Sequence, residues 1–141
     1  MTNSIKPYIW GPSGWKFIHY ISFGYPNNPT DEDKINYKNF YNNLQYVLPC
    51  KKCSINYNKN ITEHPIDNHL EDRDSLVKWL IDIHNKVNEE SNKKQLDYQT
   101  AIDIYLSGKN YDNLFNSNIF LLLILIIIVL MIYIIYQKCK K

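Results

Sequence analysis

The chain has 141 residues, with 16 basic and 14 acidic side chains and a formal charge of +2. That balance excludes the broad positive field that non-specific nucleic-acid binding needs, so nucleic acid is not an expected partner. Three cysteines are too few for a multi-disulfide secreted scaffold, the first residues do not read as a cleaved leader, and with the apolar run Ile119 to Tyr136 set aside about 110 residues remain, enough for one domain.

In chain order, the first expected helix runs from Gly14 to Phe23, after Gly11-Pro12-Ser13. Thr30-Asp31-Glu32-Asp33 places a capping hydroxyl ahead of three carboxylates that suit the positive end of a helix dipole, and Tyr37, Phe40, Tyr41, Leu44 and Leu48 follow at helical spacing. Pro49 supplies a first-turn residue for a third helix from Cys50 towards Asn60. Asp74 or Ser75 can cap a fourth, with Leu76, Trp79, Leu80, Ile83, His84 and Val87 on one face, ending near Asn92. A fifth spans about Asp97 to Ser107, with Gly108 as its stop. No stretch alternates as a strand does, so the expected architecture is all-α, a bundle of four or five helices around an aromatic-rich core.

After a polar joint, residues 113–118, the 18 uncharged residues from Ile119 to Tyr136 would cover roughly 27 Å as a helix, close to the hydrocarbon thickness of a bilayer. The expectation is a domain over residues 1–112, a single membrane span over 119–136 and a basic tail, 137–141. The lysine-rich tail favours its own placement on the cytoplasmic side. A lone C-terminal span points instead to a cytoplasm-facing N-terminal domain, and the second reading is preferred because a five-residue tail is easily translocated.

The sharpest local chemistry is Cys50-Lys51-Lys52-Cys53. Two intervening residues at a helix start bring both sulfurs within disulfide reach, and the helix N-terminus with two lysines favours thiolate over the ordinary thiol pKa of about 8.5. The pair reads as redox or metal-binding. Cys50, Cys53, His64 and His69 follow C-x2-C-x10-H-x4-H, near a two-Cys, two-His zinc pattern, which makes a tail-anchored zinc-binding interaction module the competing function. Against it, Pro65 directly after His64 disfavours one helix carrying both histidines. Two denser clusters, Trp10, Trp15 and His19, and Trp79, His84, Asn85 and Asn88, read either as core side chains with satisfied polar groups or as the walls of a site for a planar heteroaromatic ligand.

Taken together, Trp10-Gly11-x3-Trp15-x3-His19, Tyr25-Pro26, Pro49-Cys50-x2-Cys53, Arg73, Trp79-Leu80 and His84-Asn85-x-Val87-Asn88 resemble, in order and spacing, the Erv/ALR family of FAD-linked thiol oxidases, over about Trp10 to Gly108. The resemblance implies a helical bundle holding FAD, with Gly11, Trp15, His19, Trp79, His84, Asn85, Val87, Asn88 and Lys93 as cofactor-binding positions, and Tyr105 where the family usually has tryptophan. It further implies Cys53 as the flavin-proximal sulfur and Cys50 as the one exchanging with substrate, with O2 as electron acceptor and H2O2 as product. A homodimer is implied too, as is a protein dithiol substrate, expected to be a small thioredoxin-like carrier. Where cellular members carry a structural disulfide between the last two helices, this chain has Ile81 and Tyr98, an apolar pair expected to pack in its place. The family's distal shuttle pair is missing, since the third cysteine, Cys139, lies beyond the apolar run. Such cysteine-poor forms resemble those of large cytoplasmic DNA viruses, which would place the anchor in a host intracellular or virion membrane.

Overall fold

The computed structural model describes residues 4–107, 120–131, 133 and 136. The chain divides into two compact units, Met1–Tyr105 and Leu106–Lys141. The described residues of the first are helical: α1 (Pro7–Phe23), α2 (Asp31–Val47), α3 (Lys51–Glu63), a short 3₁₀ helix (Ile66–His69), α4 (Arg73–Glu90) and α5 (Tyr98–Ser107).

Local chemistry explains each start. Thr30 and Asp33 close a reciprocal capping box on α2, Asp33 N–H donating to Thr30 Oγ1 at 3.1 Å and Thr30 N–H to Asp33 Oδ2 at 2.9 Å. Helix α4 begins at Arg73 because Asp72, and not the expected Asp74 or Ser75, accepts from Ser75 N–H at 2.7 Å. Asp97 accepts from Thr100 N–H at 2.9 Å at the start of α5. Helix α1 is two turns longer than expected. Pro7 sits in its first turn, where no N–H is needed, and Pro12 continues the helix because the carbonyl it leaves without a donor, that of Tyr8, lies on the exposed first turn. In α3, Cys50 is the cap and Lys51 the first helical residue, one position later than Pro49 suggested.

The core is rich in tyrosine, and the buried phenols of Tyr25, Tyr41 and Tyr57 each find a main-chain acceptor on another part of the fold. Tyr25 donates to Leu70 C=O at 2.9 Å, Tyr41 to Ile18 C=O at 2.9 Å and Tyr57 to Tyr41 C=O at 3.0 Å. Trp79 Nε1 donates to His64 C=O at 2.8 Å, and Arg73 Nε to Tyr25 C=O at 2.6 Å. These bonds tie α1, α2, α3 and α4 together around Leu76, Leu80 and Ile83, and among the described residues leave no buried phenol unpaired. Burial holds the Tyr41 and Tyr57 phenols well above their ordinary range, so they stay protonated as donors.

A second, smaller cluster, Val77, Ile81 and Ala101 with Phe23, Leu96 and Ile102 against it, seats α5 on α4. Ile81 is buried there as expected, but its apolar partner is Ala101. Tyr98 is 41% exposed and donates its hydroxyl to the Asp82 carboxylate at 2.7 Å, so the expected Ile81–Tyr98 packing is replaced by a buried contact and a surface hydrogen bond.

In the second unit residues 120–131 are helical, with exposed apolar side chains. Among the described residues no helix is long and apolar enough to cross a membrane. The expected joint at 113–118, the basic tail with Cys139, Gly108, and Ile119 with part of 132–135 of the expected span lie outside the described residues.

Candidate active site

Two features of the helical domain carry chemistry, and the helices present them differently. The first is the cysteine pair. Cys50 and Cys53 are joined as a disulfide with Cα atoms 5.2 Å apart, at the N-terminus of α3. Cys53 N–H donates to Cys50 Sγ at 3.2 Å, so the sulfur itself caps the helix. Lys51 and Lys52 stand exposed between the two. Cys50 is 5% exposed and borders a cavity of 390 Å3 with Pro49, Lys51 and Ser54, while Cys53 is half-buried.

This disulfide removes the thiolates that zinc would need. His64 closes α3 and its carbonyl receives Trp79 Nε1, whereas His69 belongs to the 3₁₀ helix, with Nδ1 3.5 Å from Ser75 Oγ. Among the described residues no group of three or more His, Cys, Asp or Glu is placed to hold a metal. The four-ligand alternative is therefore corrected: Pro65 turns the chain after His64, and the two histidines join different elements.

The second feature is a cleft of 630 Å3 whose two walls are helical rows. On α1, Tyr8, Gly11, Pro12 and Trp15 fall at i, i+3, i+4 and i+7; on α4 and its C-cap, His84, Val87, Asn88 and Ser91 repeat that spacing. Lys93 reaches the cleft because α4 stops abruptly. Asn92 takes the left-handed conformation, φ 53°, and Lys93 N–H turns back to Asn88 C=O at 2.8 Å. Tyr105 arrives from α5. A Cβ added at Gly11 would meet nothing within 4 Å, so this wall leaves room for a group in the cleft.

Behind the walls the rings interlock. Trp15 and His84 stack with centroids 3.8 Å apart, His19 and Tyr105 with centroids 4.0 Å apart. His19 Nε2 lies 3.2 Å and the Tyr105 hydroxyl 3.3 Å from His84 Nδ1. An unprotonated His84 Nδ1 accepting from both satisfies the pair of contacts, which leaves His19 Nδ1 as a bare acceptor. That atom is buried without a protein partner. Burial first, and then charge on the His84 ring, holds His19 down to about 3; burial, then the Lys93 ammonium, holds His84 down to about 4. Both rings are thus neutral at physiological pH, while the Tyr105 phenol is pushed up to about 12 by burial.

Of the positions singled out from sequence, Gly11, Trp15, His84, Val87, Asn88, Lys93 and Tyr105 line this one cleft, and His19 backs it. Two are placed elsewhere. Trp79 is a core residue, edge-on to Tyr41 with centroids 5.3 Å apart. Asn85 clamps the backbone of Leu96, donating to its carbonyl at 2.8 Å and accepting from its N–H at 2.9 Å, and so shapes the loop into α5. Pro7, Tyr8, Pro12 and Ser91 line the cleft without having been singled out. Tyr8, Gly11 and Trp15 form a visible row once α1 is allowed to start at Pro7, which the Gly-Pro pair concealed.

Aromatic walls, buried amide and imidazole groups and one terminal ammonium suit a planar heteroaromatic ligand with an anionic portion. The comparisons agree with this pairing of cleft and disulfide. Residues 12–106 match the model of the Erv1 / Alr family. A probable FAD-linked sulfhydryl oxidase of Acanthamoeba polyphaga mimivirus is 50% identical over 100 residues, 70% of each chain. The mitochondrial FAD-linked sulfhydryl oxidase of Saccharomyces cerevisiae is 34% identical over 87 residues, 62% of this chain and 45% of that one. The crystal structure of the FAD-binding domain of Erv1 from the same yeast superposes with a TM-score of 0.69 at 29% identity, covering 75% of this chain and 99% of that one. With the matched segment holding the paired cysteines and every cleft residue from Pro12 to Tyr105, the chain belongs to the Erv1/Alr family.

Proposed function

We propose that the chain is an FAD-linked sulfhydryl oxidase, forming disulfides in protein thiols through Cys50–Cys53 and passing the electrons to O2. The observation that carries this reading is a closed disulfide at a helix N-terminus in the same small domain as an aromatic, histidine-backed cleft. The cleft fits FAD. Trp15, His84 and Tyr105 offer stacking faces, Asn88 and Val87 complete the wall, Lys93 suits the diphosphate, and the open space at Gly11 admits close approach.

In the protein's own part of the cycle, a substrate thiolate attacks Cys50 Sγ, the Cys50–Cys53 bond breaks and its electron pair leaves on Cys53 Sγ. A second substrate thiolate then attacks the substrate sulfur of the mixed disulfide and releases Cys50 as thiolate. The helix N-terminus, Cys53 N–H and the neighbouring lysines favour that thiolate as a leaving group. The net result is one substrate disulfide and two electrons on the cysteine pair. FAD bound in the cleft would supply the two-electron acceptor between the cysteine pair and O2, with H2O2 as the product. Access to Cys50 through the 390 Å3 cavity supports its assignment as the attacked sulfur despite its burial.

The finer parts of the reading are a small thioredoxin-like dithiol carrier as substrate, a homodimer, and a membrane anchor at residues 119–136 with the domain facing the cytoplasm. Exposed Ile9 and Phe17 on α1 support a second copy, and the uncharged run with exposed apolar side chains over 120–131 supports the anchor. The mimivirus relative supports a viral setting. The deciding experiment is an absorption spectrum of the purified protein before and after anaerobic addition of a dithiol. A band near about 450 nm that bleaches and returns with air is expected of an oxidised flavin cycling with the disulfide; a colourless folded protein overturns the reading.

A further inference from the structure

Just before the redox pair, the chain's own N-terminal segment lies against the peptide that leads into Cys50. Ile5 N–H donates to Pro49 C=O at 2.8 Å, and Ile5 C=O accepts from Trp10 Nε1 at 3.3 Å. Lys6 continues in extended conformation, with φ −61° and ψ 133°. Helix α3 does not need the Pro49 carbonyl: its first intrahelical acceptor is Cys50 C=O, which receives Ser54 N–H at 2.9 Å. The Pro49 carbonyl therefore depends on a donor from outside the helix, and the non-helical segment before α1 supplies it through Ile5. Ser4 borders the same 390 Å3 cavity as Pro49 and Cys50, and Cys50 itself is only 5% exposed.

A thiol carried on a polypeptide brings its flanking main chain to the sulfur it attacks. Beside Cys50 the Pro49 acceptor is one residue away, already engaged by a segment that half exposes Ile5. We infer that the Pro49 carbonyl is a docking point for an extended polypeptide thiol, and that Ser4–Ile5 holds this place as an intramolecular stand-in until substrate displaces it. The inference rests on the oxidase reading and adds to it the manner in which substrate is recognised. Recognition is by main chain, which suits an extended or edge-strand segment around the substrate cysteine and is indifferent to small dithiols.

The test replaces the donor without touching the cysteines. Ile5→Pro in the full chain removes the N–H, and Ile5→Ala keeps it. With a cysteine-containing peptide dithiol, Ile5→Pro is expected to lower KM about two- to tenfold, the worth of one hydrogen bond, with kcat unchanged. Ile5→Ala should match the unsubstituted chain, and dithiothreitol should be oxidised equally by all three. Independently of flavin turnover, the anaerobic rate at which the peptide reduces Cys50–Cys53, followed by thiol labelling, should rise by the same factor. An unchanged or raised KM for the peptide, or an equal acceleration with dithiothreitol, overturns main-chain docking while leaving the oxidase reading intact. If neither dithiol reduces the pair, the oxidase reading fails and the docking inference with it.

Discussion

At the cleft, Trp15, His19, His84 and Tyr105 are stacked, largely withdrawn from water and uncharged, whereas at the start of α3 the Cys50–Cys53 pair is flanked by two exposed lysines. The contrast follows from what each place has to meet. A flavin that stays bound is best held by surfaces made before it arrives, and interlocked rings with neutral imidazoles supply them without a buried charge. A disulfide that exchanges with thiols in solution needs an electropositive setting that holds thiolate, and a helix end with lysines supplies that. Five experiments probe the division of labour between the two regions.

The largest effect is expected at the disulfide. Cys50→Ser or Cys53→Ser should lower dithiol-dependent oxygen consumption at least about 1,000-fold, because no redox-active bond remains, while flavin absorbance per protein is retained. Loss of flavin in either variant would show that the two regions are not separable. The next is pH. In the unfolded chain both histidines titrate near the model-peptide value of about 6.5. Between that value and the folded values of about 3 for His19 and about 4 for His84, the unfolded chain binds more protons, so stability falls as pH falls through this window. Each ring can contribute up to about 1.4 kcal/mol per pH unit there, and none of this pH dependence above about 7. Thermal melts of flavin-free protein from pH 7 to 5 check the slope, and His84→Gln should flatten it.

Ile81→Ala probes the seam that carries Tyr105 to the cleft. Truncating a side chain that is 1% exposed should cost about 2–4 kcal/mol in denaturant unfolding. His84→Ala removes the stack on Trp15 and the shared acceptor; about 1–3 kcal/mol of lost binding corresponds to flavin affinity weakened roughly 5- to 150-fold, measured by fluorescence titration. Reduction of Cys50–Cys53 by dithiothreitol should not change. Thr30→Ala, at the α2 cap and remote in role from both regions, should cost about 1 kcal/mol of stability and alter neither flavin affinity nor thiol exchange.

Much of this was legible in the residues because the signals were local. Thr30 with three following carboxylates specified α2 through a bond that spans three residues; the expected start of α5 near Asp97 is where the Asp97 carboxylate takes the Thr100 N–H. The start of α1 was hidden because Gly11 and Pro12 read as a break, and only the exposure of the Tyr8 carbonyl's turn makes proline tolerable there. The 3₁₀ helix at Ile66–His69 has no periodicity long enough to announce itself. At the site, Trp15, His84, Asn88 and Tyr105 came together as spacing and resemblance implied. Trp79 and Asn85 did not, because what they touch, the His64 carbonyl and the Leu96 backbone, is settled by tertiary packing and a loop. The Ile81 position shows the same limit: its burial follows from the α4 face, but its partner, Ala101, depends on how α5 turns against that face.

The sulfur cap on α3 bears on how the protein is made. Cys50 Sγ receives Cys53 N–H, and a thiolate at that position would receive it more strongly, with the helix dipole acting in the same sense. The helix therefore has its cap before the cysteines are joined and after they are separated. A nascent chain in a reducing compartment can complete its fold with free thiols and acquire the bond afterwards, so that biogenesis does not require the oxidising power the finished protein provides. Circular dichroism of the reduced and oxidised protein should report the same helix content.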